Sequence, residues 1–191
     1  PTKGGRLRTR RWRWRHSSGN WAAAVRPSRD AQPEHGGVRG AEGPRVTRAK
    51  KDPRHRARES ALQILYQWDL THEPVGAAAE TFFDLQWPDA KPVPATLRSF
   101  ATALARETVE QLAAIDALIA DTAERWRPER MAVVDRLILR LASCELRRGD
   151  VPAAVVIDEA LELARTFSSE ESVKFINGML DGIRKKLSES R

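Results

Sequence analysis

Apolar residues recur at helical spacing through most of the chain after residue 52. The clearest cases are the stretches 131–146 and 155–167, where they return every three or four positions and mark one face of a helix. The two stripes comprise Met131, Val134, Leu137, Ile138, Leu141 and Leu146, and then Val155, Val156, Ala160, Leu163, Ala164 and Phe167. No segment shows the sustained period-two alternation of a half-buried strand. The pattern predicts an all-α fold.

Proline, glycine and capping residues divide this pattern into about seven helices. Pro53 suits the first turn of a helix, and Ser168-Ser169-Glu170-Glu171 is typical of a helix cap followed by an acidic first turn. Within the last helix, Gly178 is expected to be a site of close packing. The predicted helices span residues 53–71, 77–86, 95–124 with a break near Thr108, about 128–147, 152–167 and about 168–187.

The amino-terminal segment differs from the rest of the chain in composition and charge. Residues 1–52 are rich in Arg, Gly, Pro and Trp and lack an aliphatic pattern, which predicts a disordered extension before a single helical domain over 53–191. Residues 1–58 hold 17 Lys or Arg against 4 Asp or Glu, whereas residues 59–191 hold 16 against 22. A basic arm on an acidic body favours a polyanionic partner.

Two interpretations of the extension stay open. In the first, its Arg and Trp side chains bind nucleic acid through phosphate charge and base stacking. In the second, residues 1–45 are dispensable and precede the true start of the protein, which would then stand near Val46.

The sequence carries no catalytic or metal-binding constellation. Its four histidines are not spaced as ligands of a common metal, and no Gly-rich phosphate loop occurs. The single cysteine, Cys144, falls in an apolar stripe and fits a reducing compartment. No uncharged apolar run approaches the ~20 residues of a membrane-spanning helix. We therefore expect a cytoplasmic binding protein, not an enzyme, without cofactor or metal and without contact to a membrane.

The strongest binding signal lies at the start of the first helix. Cations there oppose the helix dipole at a cost of roughly a few tenths of a kcal/mol each, so a bound polyanion explains them better than stability does. The backbone N–H groups of a helix start also favour phosphate. The alternative is an ordinary basic surface. The six basic residues are Lys50, Lys51, Arg54, His55, Arg56 and Arg58.

Four segments, in order, resemble the NusB family of bacterial transcription antitermination factors. The family's first helix is similar to R-H-R-A-R-E-S-A-L-Q-I-L-Y-Q-W-D-L, at residues 54–70. Later helices are similar to E-R-M-x-x-x-D-R-x-I-L-R-L-A, V-x-I-D-E-A-L-E-L-A-R and F-I-N-G-M-L-D. The resemblance covers roughly residues 54–187. It implies two small three-helix bundles that bind boxA, a short single-stranded element of nascent ribosomal RNA leaders, together with the ribosomal protein NusE.

The resemblance also implies roles for individual residues. The Arg-rich start of the first helix is the family's RNA-binding element, and the matching residues are Arg54, Arg56 and Arg58, with Lys50, Lys51 and His55 matched less firmly. Replacing Arg56 and Arg58 with alanine is accordingly expected to weaken RNA binding and leave the fold intact.

A second RNA patch and a partner surface are implied in the same way. The patch lies at the start of the last helix and matches Glu171, Lys174 and Phe175. Phe175 also fits the core stripe of that helix, so core packing and RNA contact stay open. The surface that contacts NusE matches Tyr66 and Asp135.

The family implies further partners and one rival function. The partners are other Nus factors and the transcription elongation complex, and family members differ between monomer and homodimer. NusB-like domains also occur as RNA-binding parts of ribosomal RNA cytosine methyltransferases. The chain ends at Arg191 without room for a methyl-donor fold, so that alternative applies only to a fragment.

Overall fold

The computed structural model describes residues 52–87, 92–123 and 131–189. These residues form seven α-helices and no strand, which confirms the all-α prediction. No helix within the described ranges is long and apolar enough to cross a membrane. The helices are α1 (Pro53–Thr71), α2 (Val75–Thr81), α3 (Ala95–Glu110), α4 (Leu112–Thr122), α5 (Val133–Arg148), α6 (Ala153–Phe167) and α7 (Glu170–Glu189), and a π-helical turn (Phe82–Gln86) continues α2.

The helices form two groups that are joined through α5. The first group consists of α1, α2 and α3, and the second of α5, α6 and α7 with α4 against α5 and α7. α5 also contacts α1 and α3, so it joins the two groups. Every residue of α5 from Leu137 to Leu146 is buried, as expected of a helix with neighbours on all sides. Charged residues in this stretch therefore require partners inside the protein.

Side-chain caps define the starts of α1 and α7. Pro53 is the first residue of α1, and the carboxylate of Asp52 accepts a hydrogen bond from the Arg54 N–H at 2.9 Å. At α7 the Ser169 hydroxyl accepts from the Ser172 N–H at 3.1 Å. The serine cap is thus confirmed. At α1, one N–H that the sequence offered to a phosphate is already bonded to Asp52.

The Ala-rich span breaks into two helices as predicted, at Gln111 between α3 and α4, three residues after Thr108. Thr108 is fully buried inside α3, and its hydroxyl donates to the Leu104 carbonyl at 2.8 Å. A threonine whose hydroxyl bonds back to the preceding turn is tolerated within a helix, which is why the β-branched residue does not end it. The predicted start of the next helix near residue 128 lies outside the described residues.

Close packing occurs at Gly182 and not at Gly178. A Cβ at Gly178 would meet no atom within 4 Å, and that residue is exposed, so the prediction for Gly178 is wrong. A Cβ at Gly182 would lie 2.7 Å from Cγ2 of Thr122. The close approach joins α7 to the end of α4.

Candidate functional site

The first turns of α1 place their basic residues in two environments. Arg54 is exposed and Arg56 is half-buried, whereas His55 and Arg58 are buried. Lys50 and Lys51 lie outside the described residues. The basic residues at the start of α1 therefore differ in accessibility, although they lie close together in the sequence.

Arg58 forms a bidentate ion pair with Glu145 of α5. Its Nε donates to Oε1 at 2.8 Å and its Nη2 to Oε2 at 2.7 Å, and the two side chains are 4% and 2% exposed. Glu159 of α6 lies 3.7 Å from Nη1. Burial by itself disfavours the charged guanidinium, but the hydrogen bonds and charge of Glu145, with that of Glu159, more than offset it and raise the pKa of Arg58. A phosphate at Arg58 would have to compete with Glu145 in this buried position, and a direct contact of Arg58 with RNA stays a prediction.

His55 lies between two carboxylates of the same chain. Its Nδ1 is 2.8 Å from Oε2 of Glu159, and its Nε2 is 3.4 Å from Oε1 of Glu59. The side chain is 11% exposed. Both ring nitrogens face protein groups, so His55 joins Arg58 in holding the start of α1 to α5 and α6. The expected contact of His55 with RNA likewise stays a prediction.

Arg54 and Arg56 rest on aromatic rings. The Cζ of Arg54 lies 5.6 Å from the ring centroid of Phe100, and that of Arg56 lies 4.8 Å from Trp87. Stacking uses the face of a guanidinium, while its five N–H donors point outward in its plane. An arginine held in this way is pre-oriented to meet a phosphate at its edge.

The second predicted RNA patch lies at the start of α7. Glu171 and Lys174 are exposed, whereas Phe175 is half-buried and packs against the hydrophobic core. Core packing of Phe175 is therefore established, and an RNA contact would involve only the part of its ring that remains accessible.

The two predicted RNA patches lie towards opposite ends of α5. Ser172, beside the α7 patch, donates to Asp135 in the first turn of α5 at 2.7 Å. Arg58, beside the α1 patch, pairs with Glu145 in the last turn. Ten helical residues correspond to about 15 Å, so one RNA would have to run along the molecule to reach both patches.

The two predicted partner contacts differ in accessibility. Tyr66 is 37% exposed, and Leu70, one turn later on α1, is 63% exposed. Asp135 is only 6% exposed and accepts hydrogen bonds from the hydroxyls of Ser168 and Ser172. The Asp135 carboxylate ties the start of α7 to α5 and is largely inaccessible, and its contact with NusE stays a prediction.

Glu145 and Glu159 are the anchoring residues that sequence reasoning missed. Glu159 is half-buried on α6 and contacts both His55 and Arg58. The sequence does indicate that Glu145 is buried. Glu145 continues the apolar stripe of α5, at the helical spacing of residues 134, 138 and 141. Arg58 stands on the α1 stripe with residues 61, 62 and 65. A charge on each of two buried stripes indicates an ion pair between them.

The described residues show no arrangement for metal or thiol chemistry. Within these ranges no group of three or more His, Cys, Asp or Glu residues could hold a metal ion. Cys144 is buried, and burial raises the pKa of its thiol to about 11. The thiol is therefore protonated at neutral pH and lacks the thiolate that a nucleophile needs.

Comparison with known proteins gives the family. The NusB family model matches residues 55–185. The Transcription antitermination protein NusB of Solibacter usitatus is 52% identical over 136 residues, which cover 71% of this chain and 91% of that protein. Its name is that of a transcription factor and not of an enzyme.

Solved structures of NusB proteins have the same fold as this chain. T. maritima NusB matches with a TM-score of 0.63 and 36% identity, covering 71% of this chain and 93% of that one. A crystal structure of the antitermination factors NusB and NusE in complex with dsRNA matches with a TM-score of 0.62 and 26% identity, covering 70% of this chain and 97% of that one. The family model, the relative and the shared fold together show that this chain belongs to the NusB family.

Proposed function

We propose that this chain is a transcription antitermination factor that binds single-stranded boxA RNA together with NusE and supports processive transcription of ribosomal RNA. The observation that carries the proposal is the construction of the first turns of α1. Arg54 and Arg56 present cations on aromatic rings, while Arg58 and His55 bind that part of the helix to α5 and α6. A fixed pair of accessible guanidinium groups suits a phosphate backbone.

The proposed RNA site divides into phosphate contacts and positioning residues. Arg54 and Arg56 contact phosphates, and Lys50 and Lys51 extend the basic stretch before α1. Arg58 acts through Glu145, by holding the helix in place. This division explains why a strongly basic helix start includes one arginine that is buried.

The start of α7 supplies the second part of the proposed RNA site. Lys174 meets phosphate, Glu171 accepts from a base amino group, and the accessible part of Phe175 packs on a base. Glu171 directly precedes Ser172, whose hydroxyl is bonded to Asp135, and Phe175 follows Ser172 about one helical turn later.

The proposed surface for NusE is the exposed apolar side of α1. Tyr66 and Leu70 stand one helical turn apart and are both exposed. A half-exposed tyrosine with an exposed leucine beside it is typical of an interface centre. Asp135 contributes indirectly, by positioning the start of α7. In the cytoplasm, the complex with NusE would join the elongation complex and its other Nus factors.

The rival function, an RNA-binding part of a methyltransferase, has less support. The match to the antitermination protein of Solibacter usitatus covers 91% of that protein, and the solved NusB structures are covered almost completely. We therefore retain one function and test it through RNA and NusE.

The test compares two charge-matched double variants of the full chain. R54Q/R56Q removes the two proposed phosphate contacts, and R184Q/K185Q removes two exposed charges near the end of α7. Binding of a labelled boxA-containing single strand is measured over a salt titration, with and without NusE. For single-stranded RNA the logarithm of affinity changes by about 0.7 per phosphate contact for each decade of salt.

We expect R54Q/R56Q to bind more weakly and to flatten the salt slope by about 1.4. R184Q/K185Q should match the unaltered chain, and NusE should strengthen binding by both. Equal slopes for the two double variants would remove the proposed site from α1. Absence of RNA binding by the unaltered chain, with NusE present, would overturn the function itself.

A further inference from the structure

Two arginines and two aromatic rings lie side by side in a row beside the start of α1. The Cζ of Arg56 lies 4.8 Å from the ring centroid of Trp87, the Trp87 and Phe83 centroids are 5.9 Å apart, and the Cζ of Arg98 lies 5.2 Å from Phe83. We call Arg56, Trp87, Phe83 and Arg98 the Arg–aromatic row. It connects α1, the π-helical turn and α3.

The π-helical turn supports the two aromatic rings of the row through Phe82. Phe82 is 1% exposed and packs edge-on against Phe83, at 5.0 Å and 70°, and against Trp87, at 6.4 Å and 88°. Leu85 in the same turn is 77% exposed. π-helical turns are rare and frequently occur at functional sites. Here the turn anchors Trp87 at the surface without burying it completely.

The row has the charge and shape that unpaired nucleotides require. Bases of single-stranded RNA stack on aromatic and guanidinium planes, and their phosphates meet nearby cations. Arg98 is 43% exposed, and its contact with the exposed Asp84 carboxylate is 3.4 Å long. An exposed ion pair of this kind contributes little to stability, so a phosphate could replace Asp84 at small cost.

We propose that the Arg–aromatic row extends the RNA site from α1 towards α3, with Trp87 stacking on an unpaired base and Arg98 meeting a phosphate. The proposal rests on the proposed RNA-binding function and names a surface for it. The partner is single-stranded RNA, because the bases of a duplex stack on one another and leave no face for Trp87.

Two substitutions of Trp87 distinguish stacking on an RNA base from a structural role of the side chain. Trp87→Leu keeps an apolar side chain and removes the ring, whereas Trp87→Phe keeps a ring. Full-length variants are titrated with the boxA-containing single strand and with a duplex of the same sequence, and their folding is checked by thermal unfolding. We expect W87L to bind the single strand about tenfold more weakly with an unchanged salt slope. W87F should stay within about twofold of the unaltered chain.

The Arg98 test uses a closely matched control. Arg98 and Arg184 are 43% and 44% exposed, and each contacts one aspartate. Arg98→Gln is expected to weaken binding of the single strand about threefold and to flatten the salt slope by about 0.7. Arg184→Gln should change neither quantity.

The outcomes distinguish a failure of the proposal for the Arg–aromatic row from a failure of the proposed function. If W87L and R98Q bind like the unaltered chain while R54Q/R56Q binds weakly, the row is structural only and this inference is overturned. An equal loss of duplex and single-strand binding in W87L would overturn stacking on an unpaired base. If the unaltered chain binds no RNA with NusE present, the proposed function and this inference fail together.

Discussion

Arg58 of α1 and Glu145 of α5 form a buried, bidentate ion pair where the two groups of helices meet. The N–O distances are 2.8 and 2.7 Å, and the residues lie 87 positions apart in the chain. Buried pairs often add little stability over well-packed apolar residues, but either partner alone is an uncompensated charge. We infer that this pair sets the position of α1 on α5, and with it the position of Arg54 and Arg56.

Removing one partner of this pair is expected to destabilise the fold. Arg58→Met should lower the free energy of unfolding by about 3–5 kcal/mol, since it leaves Glu145 buried without a counter-charge. The double variant R58M/E145M should recover most of that loss. Urea unfolding of both variants measures the difference, with the exposed R54Q as a control expected to change stability by less than about 0.5 kcal/mol. Equal stability of R58M and the unaltered chain would contradict the inferred role.

Gly182 and Gly178 offer a matched pair of substitutions in α7. Alanine favours a helix over glycine by about 1 kcal/mol. Gly178→Ala should therefore stabilise the protein, because no atom lies within 4 Å of the added Cβ. Gly182→Ala should destabilise it by about 1–3 kcal/mol, since the Cβ would meet Thr122 at 2.7 Å. The Thr122 hydroxyl donates to the Leu118 carbonyl at 2.8 Å, which restricts its ability to move away.

Thermal unfolding of the two glycine variants decides between these effects. The expected result is a higher Tm for G178A and a lower Tm for G182A. A stabilised G182A would mean that α4 and α7 adjust to the extra methyl group without strain.

The hydrogen bonds of Asp135 are expected to keep the start of α7 ordered. Asp135→Ala leaves the Ser168 and Ser172 hydroxyls without their acceptor, at a cost of about 1–3 kcal/mol. Amide hydrogen exchange should then quicken in the first turns of α7, around Lys174, more than in α1. Unchanged protection in α7 would show that the Ser169 cap alone holds the helix start.

Cys144 is expected to be unreactive in the folded protein. Burial raises the pKa of its thiol from an ordinary value of 9.0 to about 11. A pKa raised by folding contributes stability that is complete below about pH 9 and is lost as the pH rises towards 11. At pH 8, modification by a disulfide reagent should be slow in the native protein and fast in urea. A rapid native reaction would mean that α5 opens locally.

Helix positions could be predicted because their signals are local. The start of α1 follows from Pro53, and the start of α7 from the Ser169 cap, with no need for tertiary contacts. The break between α3 and α4 was predicted near Thr108, but it falls at Gln111. Thr108 instead fills a buried position in α3, with its hydroxyl bonded to the Leu104 carbonyl. Gly178 was predicted as the close-packing site from its sequence neighbours, while the close approach occurs at Gly182 and comes from Thr122 of α4.

The sequence alone determined the all-α fold, the order of its helices and the concentration of positive charge before and within the first turns of α1. These properties depend on periodicity and composition, which are present in the unfolded chain. Tertiary structure decided which charges remain accessible. It buried Arg58 against Glu145 and left Arg54 and Arg56 on aromatic rings, because the cost of an unpaired buried charge depends on helices that meet only after folding.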